Sequence, residues 1–135
     1  MGRYIAQSDI ENIFGTDNVA KWSQLDNDLA TADTSRIALA ITYAEETVED
    51  KFRNSRYAVP FTGTISQKIK EWCAKIAGIW LYSNRGMRDT NAEGDKFQDM
   101  KDDVEKEMDL YVAGVRRLDA IKHDGSAPTS PFVVG

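Results

Sequence analysis

The sequence is short of several things, and each shortage narrows the functions open to it. It has one cysteine, Cys73, and one histidine, His123. A lone thiol cannot form an intrachain disulfide, and it fits a reducing compartment. A lone histidine supplies neither a hydrolytic triad nor a histidine-based metal site, which usually takes more than one such ligand. Nowhere do about 18 apolar residues run together, so no membrane span is expected. The opening MGRYIAQSDIE lacks the apolar core of a signal peptide. Gly2 is followed at the sixth position by Ala6, where the myristoylation pattern takes Ser or Thr. Basic residues are also in deficit, with 17 Lys and Arg against 22 Asp and Glu, a net charge of −5. Non-specific nucleic-acid binding rests on a basic surplus, so it is not the expected main activity. Gly94-Asp95-Lys96 lacks the earlier glycine of a phosphate loop.

What is present is helical periodicity over 135 residues, the length of one domain with an ordinary core. In Thr64 to Gly86 the apolar residues Ile65, Ile69, Trp72, Cys73, Ile76, Ile79, Trp80 and Tyr82 recur at spacings of three and four. Thr64 and Gln67 have capping-box spacing, and Gly86 is placed to stop the helix. Lys68, Glu71 and Lys75 give it one solvated face. Beyond Ile76 it is apolar or small nearly all round, which predicts burial on most sides. Gly78 costs about 1 kcal/mol relative to Ala in a helix interior, and the close approach of another helix would offset that. Cys73, on the apolar face, reads as a small buried hydrophobe.

The remaining segments wrap this rod. Ser8-Asp9-Ile10-Glu11 has capping-box spacing and opens a short helix that Gly15 ends, with Ile5 packing back on Ile10 or Ile13. Thr16 reads as the cap of a second short helix carrying Val19, Trp22 and Leu25, and Asp26 to Asp33 reads as a loop. A long helix over about Thr34–Asn54 carries the stripe Ile37, Ile41, Ala44, Val48 and Phe52. Pro60 cannot continue a helix, and the alternation Tyr57, Val59, Phe61 predicts an extended strap over the core. A last helix from about Asn91 or Glu93 to Leu118 has an acidic front half, with Arg116 and Arg117 at its end. The fold expected is all-α, a small bundle of three long helices plus short N-terminal helices. Residues 1–118 form the helical domain and residues 119–135 an extended C-terminal tail, rich in Gly, Ser and Pro and tipped by Phe132, Val133 and Val134.

Candidate chemistry is limited to carboxylates. Glu45, Glu46, Glu49 and Asp50 include pairs that share a helix face and could hold Mg²⁺. The pattern looks like the first half of the all-α nucleotide pyrophosphohydrolases. Their second half needs paired acids on the next long helix, and there Glu71 is followed three residues later by Ala74. The acids therefore read as a solvated face, and no catalytic, metal or cofactor site is expected. A Mg-dependent hydrolase remains the alternative, with a small helical regulatory module as a third reading.

The order of the pieces resembles the head–tail adaptor (connector) proteins of tailed bacteriophages, in particular the Mu-like prophage family. The residues that carry the resemblance are Tyr4-Ile5, Asp9-Ile10, Phe14-Gly15, then Ala40-Ile41 and Ala44 leading into Arg56-Tyr57-x-x-Pro60-Phe61. Ala74-x-Ile76-Ala77, Leu81-Tyr82, Arg85, Ala113-Gly114 and Leu118 follow. The resemblance implies a virion protein made in the host cytoplasm, with no cofactor, forming a ring, often of twelve copies, under the portal protein in the neck. Such a ring extends the DNA channel, lets DNA pass without sequence-specific binding, and docks a tail-side protein. The expected subunit or portal contacts are Arg53, Arg56, Arg116, Arg117, Phe132, Val133 and Val134, with Arg53 or Arg56 meeting acids of a neighbour's last helix.

Overall fold

The computed structural model describes residues 2–23, 33–53, 55, 57–62, 64–84 and 93–114. Among them are five helices and no strand: α1 (Gln7–Phe14), α2 (Thr16–Ser23), α3 (Thr34–Phe52), α4 (Gln67–Ser83) and α5 (Glu93–Val112). The all-α bundle expected from periodicity is what forms. Helix α4 is its axis, packing against each of the other four. Its buried set runs from Ile69 and Trp72 to Leu81 and Tyr82, with Cys73 fully covered. Gly78 has the role its cost implied. Any Cβ there would overlap the ring of Phe14, so the glycine is what lets α1 lie against α4.

Two aromatic groups tie the elements together at opposite ends. Phe14 of α1, Trp22 of α2, Tyr82 of α4 and Phe97 of α5 form one, with centroid distances from 4.7 Å for Tyr82–Phe97 to 5.7 Å for Phe14–Phe97. Phe52 of α3 centres the other, stacked on Trp72 at 5.6 Å and edge-on to Tyr57 and Phe61. Trp72 in turn meets Tyr111 of α5 at 5.3 Å. Edge-to-face pairs of this kind add about 0.5–1.5 kcal/mol each beyond area burial. The alternation in the strap holds: Tyr57 and Phe61 are buried and Val59 packs partly on the core.

Several helix ends differ from the spacing-based expectation, each for a local reason. Helix α1 starts at Gln7, and the carboxylate that caps it is Asp9, whose Oδ2 accepts from the Ala6 N–H at 2.8 Å. Glu11, assigned to a box with Ser8, instead accepts from Gln7 Nε2 at 3.1 Å. Of the two staple candidates Ile10 is buried and Ile13 is 39 % exposed. Helix α4 is capped by Ser66, whose Oγ accepts from the Ile69 N–H at 3.3 Å, not by Thr64. Ser66 stands three residues before the first fully buried position, the reach a side-chain cap needs. Helix α3 is capped by Asp33, which accepts from Ser35 N and Arg36 N. The Asp33 N–H is itself held by buried Ser23 Oγ at 2.9 Å, tying the end of α2 to the start of α3. Helix α5 ends at Val112, short of Leu118, where Gly114 takes φ of +85°. That left-handed conformation is a helix terminator glycine adopts at no steric cost. Leu25, most of the 26–33 loop, Gly86 and the proposed 119–135 tail lie outside the described residues.

Candidate interaction surfaces

In α3 the row Ile37, Ile41 continues at the same four-residue spacing into Glu45 and Glu49. Both carboxylates are buried, 5 % and 2 % exposed, so the solvated-face reading fails for these two. It holds for Glu46 and Asp50, which are exposed. Burying a carboxylate is costly unless donors surround it, and here the N-terminal segment supplies them. Glu45 accepts from the backbone N–H groups of Arg3 at 3.1 Å, Tyr4 at 2.7 Å and Ile5 at 3.2 Å. Glu49 accepts from Arg3 Nη1 at 2.6 and 2.7 Å and from the Tyr4 hydroxyl at 2.6 Å. The same hydroxyl accepts from the Phe61 N–H at 2.9 Å, joining the N-terminus, α3 and the strap. Burial, then the bond to Glu49, pushes the Tyr4 hydroxyl above its ordinary range.

This constellation is a clasp for residues 2–5. Gly2 is part of it, because a Cβ there would overlap Glu45 and Ile41. Glu45 and Glu49 face inward onto protein donors while Glu46 faces out, so the three carboxylates do not converge. Among the described residues no group of three or more His, Cys, Asp or Glu is placed to hold a metal ion.

Beyond the aromatic contacts of Phe97, helix α5 is held by polar bonds from its second half. Trp72 Nε1 donates to Glu107 at 2.7 Å, Lys68 pairs with Glu107 at 3.2 Å, and Lys51 of α3 pairs with Asp109 at 2.7 Å. Burial pushes the Glu107 carboxyl up, but the bonds from Trp72 and Lys68 outweigh it and hold the group below its ordinary value. Asp99, Asp102, Asp103 and Glu105 are exposed, which is the acidic front expected of this helix.

Of the expected contact residues, only Arg53 falls among those described. It is exposed and pairs with its own Asp50 at 3.1 Å. It borders a cleft with Arg3, Glu46, Asp50, Val59 and Pro60. Arg56, Arg116, Arg117, Phe132, Val133 and Val134 lie outside the described residues. What the periodicity missed is an apolar patch on α3, where Leu39 is 58 % and Tyr43 44 % exposed. Tyr43 lies against half-buried Trp80 at 6.4 Å, and the Arg36 guanidinium sits 5.4 Å from the centre of the Trp80 ring. Arg36 also donates to the Asn84 carbonyl at 2.8 Å. Leu39 and Tyr43 sit four apart off the main stripe of α3, a signal that was present but secondary.

A model of the family described as Bacteriophage Mu, Gp36 matches residues 4–130. The chain belongs to the bacteriophage Mu Gp36 family. No curated protein and no solved structure matches it. The Gp36 match takes in Tyr4, Glu45, Glu49 and the five described helices, so the α4 axis and the clasp apart from Gly2 and Arg3 lie within the family's own span. It runs past Leu118, where the motif-by-motif resemblance ends, and stops short of Phe132. This chain is thus a Mu-like phage protein with an all-α body. No described helix is long and apolar enough to cross a membrane.

Proposed function

We propose that this Gp36-family chain is a structural virion protein, a head–tail adaptor whose copies form a ring under the portal protein in the neck. The ring extends the DNA channel and docks a tail-side protein, and the resemblance puts its size at twelve copies. The observation that carries the reading is the family match over residues 4–130 on a helical body whose two buried carboxylates are taken up in holding its own N-terminus. Such a body leaves surfaces rather than a reaction centre as its working parts: the exposed acids of α5, the Arg3–Arg53 cleft and the Leu39–Tyr43 patch. An acidic net charge suits a channel wall that DNA slides past without sticking. Arg116 and Arg117 are assigned to the portal side.

The test is co-assembly. The full chain is mixed with the portal protein of the same phage and examined by mass photometry and cryo-microscopy. A closed ring of copies seated on the portal is the expected result. A chain that stays a single copy and never joins the portal overturns the reading.

A further inference from the structure

Among the described residues three large hydrophobic side chains are exposed: Leu39 at 58 %, Tyr43 at 44 % and Ile13 at 39 %. They make two separate patches. Leu39 and Tyr43 belong to the outward row of α3, Ser35, Ala38, Leu39, Thr42 and Tyr43, every member of which is exposed and none charged. A helix that buries one stripe ordinarily turns charge toward water on the other side. Ile13 stands on α1, where Ile10 and Phe14 take the buried positions. It lines a groove of about 310 Å³ between α1 and α4, together with Asn12, Lys70, Glu71, Ala74 and Lys75.

The two patches lie on opposite sides of the α4 axis. Tyr43 rests against Trp80, and Glu71 lines the groove. Trp80 is nine residues beyond Glu71 (80 − 71 = 9). At about 3.6 residues per turn that is roughly two and a half turns, so the two residues face opposite ways. Both patches ride on helices packed against α4, so no copy can carry its own Leu39 to its own Ile13. Patch against like patch would close a two-fold pair and leave Ile13 bare. Patch against groove uses both and leaves the same two surfaces open at the ends of every pair, the heterologous contact that a ring requires. A different protein on either patch would leave the other uncovered.

Charge points to the same occupant. Each copy carries a net −5, so copies approach most easily where charge is absent or opposite. The outward row of α3 is uncharged from Ser35 to Tyr43. At its end Glu46, seven residues or two turns past Leu39 (46 − 39 = 7), is exposed. Among the described residues neither Glu46 nor Lys70 of the groove has an ion-pair partner.

We infer that the Leu39–Tyr43 face of each copy docks on the Ile13 groove of the next copy, with Leu39 entering beside Ala74 and Glu46 pairing with Lys70. The inference rests on the ring reading above and names the contact that links adjacent subunits. The apolar residues supply the attraction, and the exposed ion pair, weak by itself, sets the register.

The test uses two complementary full-length variants. Leu39→Asp spoils the patch and keeps the groove, whereas Ile13→Asp spoils the groove and keeps the patch. Both positions are exposed, so both chains are expected to keep their helical content by circular dichroism. Assembly is read with the portal protein of the same phage present, and each variant alone is expected to form rings at least tenfold less well. The two variants mixed without portal are expected to give pairs and nothing larger by sedimentation velocity, because one sound patch then meets one sound groove. Rings that survive either substitution, or a mixture that gives no pairs, overturn the docking and leave the ring reading standing. An Ile13→Asp chain that pairs with itself shows patch on patch and also overturns it. No rings from the unaltered chain overturn both readings. Should either Asp chain lose helical content, a charge swap decides. Glu46→Lys is expected to weaken assembly about threefold, and Lys70→Glu in the same chain to restore it. Failure to restore overturns the inference.

Discussion

Removing the Glu45 side chain strands three backbone N–H groups at once, those of Arg3, Tyr4 and Ile5. Each buried donor left without a partner costs about 1–3 kcal/mol, although water entering the opened site recovers part of it. Glu45→Ala is therefore expected to lower stability by about 3 kcal/mol, read as a shift in urea midpoint with unchanged slope. Residues 2–6 should become susceptible to hydrogen exchange before the rest of the chain. Gly78 tests the core from the other side. Gly78→Ala gains helix propensity of about 1 kcal/mol, but its methyl must displace Phe14. That ring also meets Trp22 and Phe97, so three contacts shift together. Overpacking of this kind costs about 1–3 kcal/mol, and the net expectation is a lower Tm. A Tm that rises would mean α1 does not press on α4.

At the scale of the element, α5 is the helix whose attachment depends on pH. Its composition is polar, and besides the buried Phe97, Val104 and Met108 it is held by polar contacts at Glu107 and Asp109. The Glu107 carboxyl is held below its ordinary value in the fold, so its contribution is present above the unfolded-state value and is lost as pH falls through the folded one. Acidification should thus loosen α5 before α3 and α4 part. Hydrogen exchange of residues 104–112 and the fluorescence of Trp72 should report this together, and Glu107→Gln should flatten the trend. If α5 exchange keeps step with α4 across the acid range, the Trp72–Glu107 bond contributes little to docking.

The elements also show which features were legible in the sequence. The α3 stripe, the α4 axis, the Gly78 approach and the Tyr57–Phe61 strap all follow from spacing, because each depends on side chains a few residues apart. The clasp does not. Its donors are the backbone N–H groups of Arg3, Tyr4 and Ile5 to Glu45 and the Arg3 and Tyr4 side chains to Glu49, 40 to 46 residues away, and no periodicity announces a partner at that distance. The trace that did exist was the four-residue row Ile37, Ile41, Glu45, Glu49, which places both acids on the flank of the buried face. The α1 and α4 caps slid by two residues each because several hydroxyls and carboxylates compete at each helix start, and packing chooses among them.

For the whole molecule, the sign of the salt effect on assembly separates two ways of joining copies. Each chain carries a net −5, so bringing copies together accumulates repulsion. Between about 0.01 M and 1 M salt the screening length falls from about 30 Å to 3 Å. If apolar contacts such as the Leu39–Tyr43 patch hold the ring, added NaCl removes the repulsion and leaves the attraction, and association should tighten severalfold. If arginines meeting a neighbour's acids hold it, the same salt should dissociate it. Arg53 argues for the first case, since it is already paired within its own copy and both partners are more than half exposed. Exposed pairs are worth about 0.2–1 kcal/mol, too little to order a ring against like charges. Arg53→Ala is accordingly expected to leave oligomer mass unchanged at every salt concentration, measured by sedimentation velocity. A ring that falls apart on adding salt, or on losing Arg53 alone, would move the subunit contact from the Leu39–Tyr43 patch to the charged faces of α3 and α5.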